Sequence, residues 1–109
     1  MQTNQKQRDV RPKVNGAPYL TEAIGLVIEE RRRQIELWGD QSGNTMFEWI
    51  SILGEEYGEL CEAVNETFFK NGVHPERGSY EKIIKEAVHV AAVSTAIIER
   101  TLFLKEAEE

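Results

Sequence analysis

The amino-acid sequence predicts an all-α protein, on three observations. Three segments repeat apolar residues at spacings of three and four, the period of a helix with one buried face. Prolines number three in 109 residues, and β-branched runs of the kind that build strands are few. Capping residues and glycines bracket the periodic segments. A chain of 109 residues makes one domain with a modest core.

Residues 1–18 are polar and aperiodic and contain Pro12, Gly16 and Pro18, which predicts a flexible tail. Its cations Lys6, Arg8, Arg11 and Lys13 form a solvated arm that could also touch phosphate. Thr21 is placed to cap the first helix, with Glu22 in its opening turn, and the helix runs to Trp38 with Gly39 as the stop. Ile24, Val27, Ile28, Ile35 and Trp38 supply an inward apolar stripe, and Arg31 falls on the same side. Arg32 and Arg33 belong to a solvated face, paired with Glu29, Glu30 and Glu36.

After a polar loop over 40–44, Thr45 and Glu48 have the spacing of a capping box. The second helix follows from Met46 to Lys70, closed by Asn71 and Gly72. The connector from Val73 to Gly78 reads as a surface loop, or as a lid carrying His74 or Arg77 to a ligand. Ser79 caps the third helix, which continues to Leu104. The helical domain is therefore expected over 19–105, with 106–109 as a fraying end.

Nineteen acidic against thirteen basic residues give a net charge of −6, which argues against a general nucleic-acid binder. One cysteine excludes an internal disulfide, and Cys61 falls on an apolar arc as a packed thiol. No apolar run approaches the roughly 20 residues needed to span a bilayer, and the N-terminus has no signal-peptide core. A cytoplasmic protein without a membrane partner is the expectation.

Chemistry concentrates in the second helix, where Glu55, Glu56, Glu59 and Glu62 crowd an otherwise apolar segment. With Glu56 set to zero on a helical wheel, Trp49, Leu53, Leu60 and Val64 are among the residues that spread from roughly 20° to 140°, and Ala63 and Ile52 lie at about −20° and −40°. Glu56 thus sits inside the apolar arc and Glu59 at its edge, whereas Glu55 and Glu62 point toward water. The third helix repeats the arrangement, with Glu86 inside its arc and His89 at the edge, one turn on. An ionised carboxylate on a core-facing stripe is costly unless paired or bound to metal. Packed antiparallel, the two helices could build one divalent-ion site.

Glu55, Glu56, Tyr57, Gly58, Glu59 and Leu60, followed after a long gap by Glu86, Ala87, Val88 and His89, resemble the paired metal motifs of the MazG-like all-α nucleoside triphosphate pyrophosphohydrolases. Those motifs are ExxE on one helix and ExxD on the next. The resemblance runs from about Ile28 to Leu102 and includes Glu30 to Gln34 ahead of Trp38, Gly39, Asp40 and Gln41, which is similar to small, often phage-associated members. It implies magnesium held by the acidic motifs and hydrolysis of an NTP or dNTP, including non-canonical ones, to the monophosphate and pyrophosphate. It also implies a four-helix-bundle-like core completed in a homodimer or homotetramer, which agrees with apolar arcs too wide for one small core. His89 departs from the family pattern, standing where the last acid would be.

The expected metal ligands are Glu56, Glu59, Glu86 and His89, and the expected catalytic set is Glu55, Glu56, Glu59 and Glu86, with Glu55 or Glu59 orienting the attacking water. Magnesium needs only one or two carboxylates besides substrate phosphates, so the three glutamates suffice, while an imidazole suits manganese or zinc better. Arg31, Lys82 and Lys85 are candidates to hold phosphates, Trp38 to stack on a base and Gln34 to bond its edge. Blander roles stand beside these. Glu55, Glu59 and Glu62 could be a solvated face paired with Lys82, Lys85 or Arg100, His89 a helix-edge histidine bonded to a neighbour, and Trp38 a packing residue. A helical module that binds nucleotide or a protein partner without turnover is the alternative function.

Overall fold

A computed structural model describes residues 14–69 and 78–108. Three helices form it: α1 (Leu20–Trp38), α2 (Met46–Phe68) and α3 (Tyr80–Glu108). The class is all-α, and the one β-type pairing among the described residues is an isolated bridge between Val14 and Ala17. The expected tail over 1–18 is described only from Val14, where a turn closes through Ala17 N–H donating to Val14 O at 3.0 Å. Lys6, Arg8, Arg11, Lys13, Asn71, Gly72, His74 and Arg77 lie outside the described residues.

Local chemistry sets most helix ends. Thr45 Oγ1 accepts from Glu48 N at 3.1 Å while Glu48 Oε1 accepts from Thr45 N at 2.8 Å, so the expected capping box opens α2. Ser79 Oγ accepts from Lys82 N at 3.0 Å and caps α3. Gly39 ends α1 at φ 70, a backbone conformation that glycine takes without a Cβ clash. Three expected boundaries are corrected. Thr21 lies inside the first turn of α1, because the helix already starts at Leu20 behind Tyr19. α2 stops at Phe68 rather than Lys70, as Phe69 turns to extended backbone. α3 continues to Glu108, since the segment after Leu104 is made of helix formers without a breaker.

α3 is the central element, packed on α2 along one side and α1 along the other, whereas α1 and α2 share no packed interface among the described residues. Glu66 meets Lys82 near one end of the α2–α3 pair, and Trp49 meets Val93 and Ala96 near the other, so these helices run antiparallel. Small residues let them approach: Ala63, Ala92 and Ala96 are fully enclosed. Trp49, 2% exposed, anchors the core with Val93 and Ala96, and Met46, Ile52, Leu53 and Ile97 pack around it. Gly78 allows the start of α3 to lie against the end of α2, for a Cβ there would overlap the backbone of Glu66 and Thr67.

The stripe expected to face inward on α1 is not covered. Ile24, Ile28, Ile35 and Trp38 are exposed, and the buried residues of that helix are Arg31 and Gln34. Leu26, Ile50, Tyr57, Ile84, Ile98 and Leu102 are exposed as well. The Cα radius of gyration is 17.2 Å, against about 13 Å for a compact domain of about 100 residues. By length and composition α3 could cross a membrane, contrary to the expectation that no apolar run approaches that length; the core helix of a bundle meets the same criterion.

Candidate metal centre

Antiparallel packing of α2 on α3 brings Glu56 opposite Glu86 and His89. One ligand-capable atom from each of these three residues lies within 4.8 Å of the others. His89 Nδ1 is 3.5 Å from Glu56 Oε2 and 3.6 Å from Glu86 Oε2, both beyond hydrogen-bond reach. Those same two carboxylate oxygens are buried and have no hydrogen-bond partner. Glu86 is only 7% exposed, so water cannot easily compensate its charge.

Orphaned anionic oxygens that converge with an imidazole nitrogen fit a divalent cation. Donors about 2.1 Å from a common ion stand roughly 3.0 to 3.4 Å apart in octahedral or tetrahedral geometry, close to the spacings seen here. Electrostatics agree. Burial pushes the Glu56 carboxyl above the ordinary glutamate range, with repulsion from Glu59, Glu86 and Glu30 adding to it and His89 opposing.

α1 supplies a third wall that the sequence reasoning missed. Glu30 Oε2 lies 3.7 Å from His89 Nε2, on the opposite edge of the imidazole from Glu56 and Glu86. Arg33 holds this carboxylate by two hydrogen bonds, Nε and Nη2 donating at 2.8 Å each, and Gln34 Nε2 donates to it at 3.1 Å. The Arg33 bonds keep the Glu30 carboxyl below its ordinary range despite burial. The Glu30–Arg33 pairing was legible in the sequence; the approach to His89 was not. A usable signal was the four-residue spacing from Glu30 to Gln34 to Trp38, which puts all three on one face.

A cavity of about 370 Å³ opens beside the centre, and Glu30, Gln34, Trp38, Glu56, Glu59 and His89 are among its lining residues. Gln34 and Trp38 therefore border the same cavity as Glu56, Glu59 and His89. Trp38 is 57% exposed, so it is not a packing residue within this chain, and the Arg33 guanidinium sits 5.8 Å from its ring centroid. Glu59 lies on the cavity wall, exposed, outside the Glu56, Glu86 and His89 cluster. Glu55 and Glu62 are exposed on the outer face.

Two expected phosphate-binding cations are committed elsewhere. Arg31 is buried and donates from Nε to Glu99 Oε2 at 2.7 Å and from Nη2 to Glu99 Oε1 at 3.2 Å, in a hollow shared with Asp40 and Phe103. A long arginine on an inward stripe is drawn to the nearest carboxylate it can pair with, and here that is on α3, away from the centre. Lys82 donates to buried Glu66 at 3.0 Å, and the cavity wall does not include it. Lys85 lines a shallower hollow on the α1–α3 side together with Glu30, Arg33 and His89. A more voluminous hollow, about 560 Å³, is an apolar groove between α1 and α3 rather than the acidic site.

Compared with known proteins, the chain matches no family model, no curated protein and no solved structure.

Proposed function

We propose that the protein is a metal-dependent nucleoside triphosphate pyrophosphohydrolase. The observation that carries this reading is the convergence of two partnerless buried carboxylate oxygens, from Glu56 and Glu86, with His89 beside a cavity that has an exposed indole on its wall. Glu56, Glu86 and His89 would hold the ion, with Mg2+ or Mn2+ as the candidates. Such an ion, when bound, neutralises phosphate charge and lowers the pKa of an attacking water. Glu59, exposed on the cavity wall, would orient that water as a hydrogen-bond acceptor. Trp38 offers its open face to the base, and Gln34 borders the same space. With Arg31, Lys82 and Arg33 engaged in ion pairs, Lys85 is the candidate beside the site for phosphates.

Exposed apolar residues on all three helices support association with a second copy, which would cover the open faces of α1 and α3. The resemblance to MazG-like enzymes supports the same assembly and reaction class.

The test is pyrophosphate release from ordinary and modified nucleoside triphosphates, with Mg2+ or Mn2+, by the native chain and by Glu56→Gln and His89→Asp variants. Metal-dependent turnover that disappears in Glu56→Gln is expected. Absence of turnover in every combination, His89→Asp included, would replace the enzyme with a helical module that binds nucleotide or a protein partner, a reading that the position of Glu59 outside the cluster favours.

A further inference from the structure

The imidazole of His89 stands between two sets of carboxylates that differ in kind. On the Nε2 side, Glu30 is an ionised acceptor fixed from behind by Arg33 and Gln34. On the Nδ1 side, Glu56 Oε2 and Glu86 Oε2 have no hydrogen-bond partner and face the imidazole at 3.5 and 3.6 Å. A neutral imidazole has one N–H and one lone pair to distribute between these sides. With the proton on Nδ1, the ring would donate toward Glu56 and Glu86, fill the point an ion would occupy, and turn the Nε2 lone pair to the Glu30 carboxylate. With the proton on Nε2, the imidazole donates toward Glu30, and its Nδ1 lone pair joins the Glu56 and Glu86 oxygens as three acceptors converging on one point, an arrangement that a cation at that point favours.

We propose that Glu30 is a positioning residue that keeps the His89 proton on Nε2, makes Nδ1 the ligating atom, and so tunes the centre toward borderline ions such as Zn2+, Mn2+ or Co2+ over Mg2+. The proposal rests on the metal-centre reading and adds a ligating nitrogen and an ion preference to it. A carboxylate behind a ligating histidine fixes the ring and raises its basicity. Nitrogen ligation adds more affinity for these ions than for magnesium, which prefers oxygen. The Nε2 to Glu30 distance of 3.7 Å is short of a full hydrogen bond, and a ring movement of about half an ångström closes it.

The chain has two histidines, His74 and His89, so labelling histidine nitrogens in the full-length protein gives two ring systems, assigned with a His89→Gln variant. Long-range proton–nitrogen spectra with and without Zn2+ then read the tautomer and the ligating atom directly. The expected result is that His89 in the Zn2+ complex is protonated at Nε2 and bound through Nδ1, whose resonance shifts on adding the ion. Competition titrations complete the test: Glu30→Ala loses about 10- to 100-fold in Zn2+ affinity while Mg2+ affinity changes less than about twofold. Glu30→Gln, which also removes the charge that holds Arg33 but keeps an acceptor oxygen, stays much nearer the native value.

Zn2+ ligation through Nε2, a proton on Nδ1 in the Zn2+ complex, or equal losses for both ions or in both variants would overturn the role of Glu30 alone. If His89 takes part in no Zn2+ binding, the metal-centre reading fails and this proposal fails with it.

Discussion

Replacing Glu86 with glutamine stabilises the metal-free protein, although buried substitutions ordinarily destabilise. The carboxylate oxygens of Glu56 and Glu86 lie within 4.8 Å of each other, and neither has a hydrogen-bond partner. Two unit charges at that distance repel by about 0.9 kcal/mol in water and about 3.5 kcal/mol at an effective dielectric of about 20. Glu56 remains partly exposed, so the lower half of that interval applies, roughly 1–2 kcal/mol. For a domain of this size the gain raises the melting temperature by about 5–10 °C. Glutamine keeps the volume of the side chain and needs no counter-charge in the same pocket.

The assay is thermal unfolding followed by circular dichroism, first with a chelator and then with Mn2+. The native chain should gain about 2.7 kcal/mol at an ion concentration of about 100 times its Kd, and Glu86→Gln should lose most of that gain. The order of stability therefore reverses between the two conditions. A glutamine variant that melts below the native chain in chelator, and that gains as much from Mn2+, would refute both the repulsion and the ligand role.

Stability and metal affinity should run in opposite directions with pH at Glu56. Burial raises its folded pKa above the ordinary value of 4.5, so its contribution to stability is fully present below 4.5 and is lost as pH rises through the folded pKa; ion affinity grows over the same interval. Melting curves across that interval, with Glu56→Gln as a control lacking the slope, check the sign. Trp38→Ala should raise KM about tenfold with little change in kcat, because stacking a base is worth about 1–3 kcal/mol and the exposed indole adds little to folding. Urea unfolding of Thr45→Ala should show a loss of about 1 kcal/mol from the broken capping box at the start of α2.

Periodicity alone determined that the chain is helical and that Glu56 and Glu86 fall inside apolar arcs, because a regular helix converts spacing into direction without knowledge of any partner. Caps at Thr45, Ser79 and Gly39 were legible for the same reason: each is a contact between residues a few positions apart. Partners distant in sequence were not legible. Arg31 had the right face for the acidic site, yet Glu99, 68 residues on, takes it. Lys82 had the right turn of α3, yet Glu66 takes it. Glu30 looked like one half of a surface pair with Arg33 and proved also to border His89, since only the placement of α1 beside α3 brings that carboxylate to the imidazole. A helical wheel gives each side chain an angle about its own axis; which charge waits at that angle is decided by how the helices dock.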